Sequence, residues 1–192
     1  AGGLTIGEAF TVSGTGKQVG VNSFGALHLN SGSSTLSGNI TLAGDADISA
    51  ASGATLTLSG ALGGGGFNLN KTDAGTLALA NTGNEAGLTG GTTISAGTLS
   101  IGSDDQLAAG TLTLNGGTLA LTGATTVDNA INLAATSTVS ASANATLSGN
   151  IIGTGDLTKS GASTLTLSGT NNFAGAVSVT AGTLALGDET RV

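Results

Sequence analysis

Few side chains in this 192-residue chain could do covalent or coordination chemistry, and their spacing limits what they could do. Eleven Asp and Glu residues are set against Lys17, Lys71, Lys159 and Arg191, with a single histidine, His28. Asp104-Asp105 is an adjacent Asp pair, and paired carboxylates can serve as general acid and base around a glycosidic bond. This pair follows Ile101-Gly102, however, where Asp is a favoured turn residue, and it reads as a solvated turn. Asp45-x-Asp47 and Gly153-x-Gly155-Asp156 superficially resemble calcium-binding repeats, but neither segment recurs at the spacing such repeats require. One or two Asp also fall short of the roughly six to eight oxygens that calcium takes. The run Gly63–Gly66 lacks the following Lys-Ser/Thr of a phosphate loop and reads as a flexible corner. His28 has no acidic or Ser partner close to it, so a surface or cross-strand packing role is expected rather than a Ser-His-Asp triad. The expectation is no catalytic residue, no metal ligand, no cofactor site and no enzymatic activity.

Charge narrows the partners. The net charge is −7, with a pI near 4.1, and four dispersed basic residues cannot neutralise a phosphate backbone. Nucleic acid is therefore excluded as a partner, and an anionic membrane surface is disfavoured. No apolar run approaches the roughly 20 residues of a transmembrane helix, so no membrane insertion of this segment is expected. No basic-then-apolar signal peptide stands at Ala1. The absence of cysteine removes disulfides and thiolate metal sites. It also leaves the chain free of crosslinks that would hinder threading through an export pore.

The elements that must position these residues are repetitive. The chain has 35 Gly, no Pro, Met, Trp or Tyr, and four Phe, while its 39% hydrophobic content is nearly all Ala, Leu, Ile and Val. A core without bulky aromatics requires stacked, equivalent layers of small aliphatic side chains. Low charge and a mean hydropathy of +0.33 argue against disorder. The pattern Thr-Leu-x-Leu or a near variant starts at Thr55, Thr76, Thr98, Thr111, Thr118, Thr164 and Thr183. Its period of two marks half-buried strands, with the Leu residues on one side and Thr, Ser and Ala on the other. Bracketing glycines (Gly60, Gly75, Gly97, Gly102, Gly116, Gly117, Gly169, Gly182) are expected to supply positive φ at tight corners.

Spacing then selects the fold. Thr35, Thr55, Thr76, Thr98, Thr118 and Thr138 lie 20, 21, 22, 20 and 20 residues apart, and Thr146, Thr164 and Thr183 lie 18 and 19 apart. A sandwich would turn every 8–12 residues or so, and helical patterns for a βα architecture are missing. Coils of about 20 residues predict an all-β, right-handed, single-stranded parallel β-helix, read as one array over 1–192. A longer period lies on top, with segments 38–102 and 129–187 echoing one another at an offset drifting from 91 to 85 residues. Leu69-Asn70-Lys71 matches Leu157-Thr158-Lys159, and Ala96-Gly97-Thr98-Leu99 matches Ala181-Gly182-Thr183-Leu184.

Those two copies carry a family resemblance. Segment 157–187, LTKSGASTLTLSGTNNFAGAVSVTAGTLALG, resembles the passenger-associated repeat of autotransporter proteins. Segment 69–102 resembles it too, without the aromatic after Asn and with a longer turn at 81–91. The resemblance implies a right-handed β-helix at the surface of, or secreted from, a Gram-negative bacterium. Its implied partner is a C-terminal β-barrel translocator outside this chain, and its implied task is to aid its own export by sequential folding of coils. Adhesion, virulence-related effector action or self-association through lateral faces and corner loops is the accompanying expectation, with 81–91 and 103–110 as the least repetitive loops. The Thr-x-Thr ladders raise an ice-binding solenoid as an alternative, weakened by Ala78, Ser100, Ala120 and Ala185 in the second position. Exposed strand edges raise another, end-to-end stacking into filaments.

Overall fold

Alternating short strands cannot bury their Leu side individually, and here they do so by winding into a three-faced parallel solenoid. The computed structural model describes residues 3–16, 18–19 and 22–187. Lys17 and Arg191 lie outside the described residues, as do Ala1 and Val192. The first face stacks nine strands: Leu4–Ile6, Ser33–Leu36, Thr55–Leu58, Thr76–Leu79, Thr98–Ile101, Thr118–Leu121, Ser137–Ala141, Leu157–Ser160 and Val177–Val179. The second runs from Phe10–Gly14 through Ile40–Ala50, Leu69–Thr72, Thr92–Ile94, Leu112–Asn115, Ile131–Ala135 and Ile151–Gly153 to Asn171–Phe173. The third carries four strands, Thr125–Val127, Ala145–Leu147, Thr164–Leu167 and Thr183–Leu186. In two earlier coils a one-turn helix, Asn84–Gly87, and a 3-10 turn, Asp104–Gln106, take that third position in the circuit. Among the described residues the one antiparallel pair is Gln18–Val19 with Asn22–Ser23.

Packing follows the alternation. On the first face Leu56, Leu77, Leu99, Leu119 and Val139 stack in register and point inward, and Leu77, Leu99, Leu119 and Val139 are 0% exposed. Each such burial contributes about 1.5–3 kcal/mol. Outward, Thr55, Thr76, Thr98, Thr118, Thr138 and Thr158 form an unbroken hydroxyl column, whereas its neighbour is ragged at Thr57, Ala78, Ser100, Ala120 and Ser140.

Three details differ from the sequence reading. The Thr-Leu-x-Leu runs do not form one ladder: Leu112 and Leu114 belong to the second face, and 164–167 and 183–186 to the third. Thr35 stacks on Thr57 rather than Thr55, and Thr146 on Thr166 rather than Thr164. Alternation is unchanged by a slip of two residues, so corner geometry alone decides that register. Of the bracketing glycines, Gly97, Gly116 and Gly182 do have positive φ, but Gly60, Gly75, Gly102, Gly117 and Gly169 do not. Stacked corners approach so closely that a Cβ on Gly60 would overlap the Gly38 carbonyl, and one on Gly169 the Gly149 carbonyl. Absence of a side chain is what Gly60, Gly75, Gly117 and Gly169 need, while Gly102 has room for one.

Candidate functional site at the lysine-clamped corners

Two of the four basic residues sit in the core. Lys71 and Lys159 are each 0% exposed. Lys71 occupies the inward column between Ile48 and Ile94, and Lys159 the column between Val139 and Val179. The four-carbon stem fills a layer that Ile or Val fills elsewhere, and the ammonium reaches the corner. There Lys71 Nζ donates to the carbonyls of Thr72 (2.7 Å), Asp73 (2.6 Å) and, one coil later, Ala96 (3.1 Å). Lys159 Nζ repeats the pattern on Ser160 (2.7 Å), Gly161 (2.7 Å) and Ala181 (3.0 Å). An ammonium has three donors and no acceptor, so each lysine is fully satisfied. Burial lowers the Lys71 pKa to about 8 against the opposing pull of the Asp73 carboxylate, and burial also lowers that of Lys159.

The receiving corner is shaped for this contact. Gly97 and Gly182 follow the accepting alanines with φ of 63° and 69°. A Cβ on Gly97 would overlap the Asp73 carbonyl, itself a lysine acceptor, and one on Gly182 would crowd the Gly161 carbonyl. Leu-x-Lys and Ala-Gly-Thr-Leu are thus the two halves of one clamp across consecutive coils. The copies are not on the same side of the rod: Lys71 lies on the second face and Lys159 on the first. The 88 residues from Leu69 to Leu157 cover four coils and one face more. The match between segments 69–102 and 157–187 does not by itself give the lysine a role. The available signal was a lysine at an inward position of an alternating strand, twice, in a chain with so few basic residues.

Other polar side chains also tie each coil to the next. Asp45 Oδ1 accepts from the Asn68 backbone N–H (2.8 Å) and side chain (3.1 Å), which lowers its pKa. Asp47 accepts from Asn70 Nδ2 (3.1 Å), and Asp156 Oδ1 from the Ala176 N–H (2.8 Å). These three Asp are therefore committed to the following coil. Within Gly63–Gly66, a Cβ on Gly64 would run into Leu42, whereas one on Gly65 or Gly66 would meet nothing within 4 Å.

His28 departs from expectation, because the fold brings it partners from distant coils. Its Nδ1 lies 2.7 Å from Ser49 Oγ and 3.5 Å from Asp73 Oδ2, and its ring packs edge-on against Phe24. His28 lies in cross-strand register with Ser49. The grouping cannot work as a hydrolytic triad. Ser49 and Asp73 converge on the same ring nitrogen, whereas a triad places them on opposite nitrogens. Ser49 is also 0% exposed and donates to the Phe24 carbonyl at 2.9 Å.

The loops 81–91 and 103–110 meet on the third side of the circuit. The buried Asn84 fixes them, accepting from the Leu62 N–H (2.9 Å) and donating to the Gln106 carbonyl (2.9 Å). Glu85, Asp104 and Asp128, from three successive coils, then bring carboxylate oxygens within 4.8 Å of one another. Burial first, then the Asp128 and Glu85 charges, push Asp104 up to about 6. Asp104 is thus the part of the Asp pair that the fold draws out of a simple solvated turn.

Residues 69–101 and 157–186 each match the family described as the passenger-associated-transport-repeat. The chain therefore carries two passenger-associated transport repeats, the mark of an autotransporter passenger. Both matched stretches open on the strand that carries the clamp lysine and close on the strand after the Ala-Gly corner. Over 127 residues the passenger is 40% identical to the Adhesin BmaC autotransporter of Brucella suis biovar 1 (strain 1330). That alignment covers 64% of this chain and 4% of the relative, so the passenger spans a small part of that protein's length. No solved structure matches the chain significantly. A passenger of this family stands outside the cell, at the surface of a Gram-negative bacterium.

Proposed function

We propose that this passenger is a non-enzymatic stalk that assists its own export by folding coil by coil outside the cell, and that it carries host-facing loops. The carrying observation is the stack itself. Among the described residues the hydrogen bonds between coils join neighbouring coils, as in Thr98 N–H to Gly75 O (3.1 Å) and Thr118 N–H to Gly97 O (2.8 Å). Such a rod can nucleate at one end and propagate, and each completed coil buries enough Leu to resist sliding back. A C-terminal β-barrel translocator outside this chain is the partner this reading requires. Replacing both Leu165 and Leu167 with Ser in a full-length protein is expected to slow surface display. Unchanged display would overturn the export role.

An adhesive role is carried by the paired loops 81–91 and 103–110, the least repetitive part of the rod, and by the adhesin relative. Because Asn84 holds the loops together, shortening 81–91 would also disturb the neighbouring coils. Thr82→Lys with Thr89→Lys changes exposed positions only. Host-cell binding that falls in this variant, with display intact, supports the adhesin reading; binding at full strength refutes a contact through this loop.

A further inference from the structure

The lysine clamp draws its acceptors unequally from two coils. Two of the carbonyls belong to the lysine's own corner, Thr72 and Asp73 or Ser160 and Gly161, and one to the next coil, Ala96 or Ala181. An isolated lysine corner would therefore leave one ammonium donor without a protein partner. The next coil closes that site by two separate contacts: the alanine carbonyl on Nζ, and strand pairing of Ile94 over Lys71 or Val179 over Lys159. Both lysines end at 0% exposure. We propose that each clamp is a latch that makes the two coils it joins open and close as one unit, so that the solenoid is divided into cooperative pairs rather than identical independent turns. The latch at Lys71 joins the coil of 69–79 to that of 92–101, and the latch at Lys159 joins 157–167 to 177–186.

The proposal concerns the folded rod alone and stands or falls separately from the export reading. Its readout is the chemical accessibility of the two ε-amines in the full chain. Under native conditions, pulse labelling with a water-soluble amine-acylating reagent, resolved by mass spectrometry, is expected to leave Lys71 and Lys159 protected relative to the urea-unfolded chain. Gly182→Ala disturbs the receiving corner at Lys159 and leaves the Lys71 corner untouched. It is expected to raise Lys159 labelling about ten- to a hundredfold, the equivalent of one hydrogen bond to a charged group, with Lys71 unchanged. Gly97→Ala is expected to do the reverse. In each variant the amides of both latched coils should gain hydrogen-exchange rate by a common factor, while coils outside the pair keep theirs. Equal labelling of the two lysines in either variant would overturn the latch, because general destabilisation alone produces that. So would exchange that accelerates in the substituted coil only. Should Gly182→Ala fail to fold, Lys159→Met keeps the stem volume and removes the donors. The same paired acceleration is then expected in 157–167 and 177–186, and single-coil acceleration refutes it.

Discussion

Raising the pH through the lysine range should stabilise this protein, the reverse of ordinary alkaline behaviour. The chain has no Tyr and no Cys, so the side chains that titrate between about pH 8 and 11 are lysines. Burial lowers Lys71 from 10.5 to about 8 in the folded state. Within that window the unfolded chain binds more protons than the folded one, and stability rises with pH wherever this holds. The penalty for burying the charged amine is fully present below about pH 8 and is relieved as pH climbs towards 10.5. The difference of 2.5 units, at about 1.4 kcal/mol each, gives at most about 3–4 kcal/mol, less whatever solvent screening persists at the corner. Lys159, lowered for the same reason, adds a contribution of the same sign. Urea unfolding followed by far-UV circular dichroism, near pH 8 and again near pH 10.5, measures the gain. Lys71→Met removes its share of the slope and serves as the control. A midpoint that stays flat or falls across the window would refute the reasoning, showing that three carbonyl hydrogen bonds hold the ammonium more strongly than burial expels it.

Core, corner and acidic cluster each give a further test. Leu99→Ala, at a 0% exposed site between Leu77 and Leu119, should cost about 2–5 kcal/mol in urea denaturation; a loss well under 1 kcal/mol would contradict the stacked core. Gly149→Ala, whose Cβ would overlap the Asn129 carbonyl at normal φ, should cost about 1–3 kcal/mol through overpacking; a neutral result would mean the corners are looser than described. Asp104, pushed up to about 6, binds more protons folded than unfolded between about pH 4 and 6, so its contribution falls as pH rises through that window. Asp104→Asn should accordingly raise the urea midpoint at pH 7 more than at pH 4, and equal shifts at both would argue against repulsion from Asp128 and Glu85.

The solenoid was legible because its information is periodic. Thr55, Thr76, Thr98, Thr118 and Thr138 recur at coil length, and in the structure these residues do stack one on another. Alternation also gave the inward residues of the Thr-Leu-x-Leu strands, including Leu77, Leu99, Leu165 and Leu167, but not in the last described coil, where Leu186 is exposed. Asp45 and Asp47 lie inside the strand Ile40–Ala50, not at a turn, and Asp156 lies between two strands; that their carboxylates tie one coil to the next was not visible in the sequence. The sequence by itself therefore determined a stack of β coils with a Leu interior and a duplicated Lys and Ala-Gly motif. Tertiary structure alone decided on which face each strand lies, which is why Lys71 and Lys159 stand one face apart despite matching surroundings. It alone brought Ser49 and Asp73 to His28, and Glu85 and Asp128 to Asp104. The physical reason is common to both. Alternation with period two is blind to even shifts and to the choice of face, and contacts between coils depend on corner lengths that no local pattern encodes.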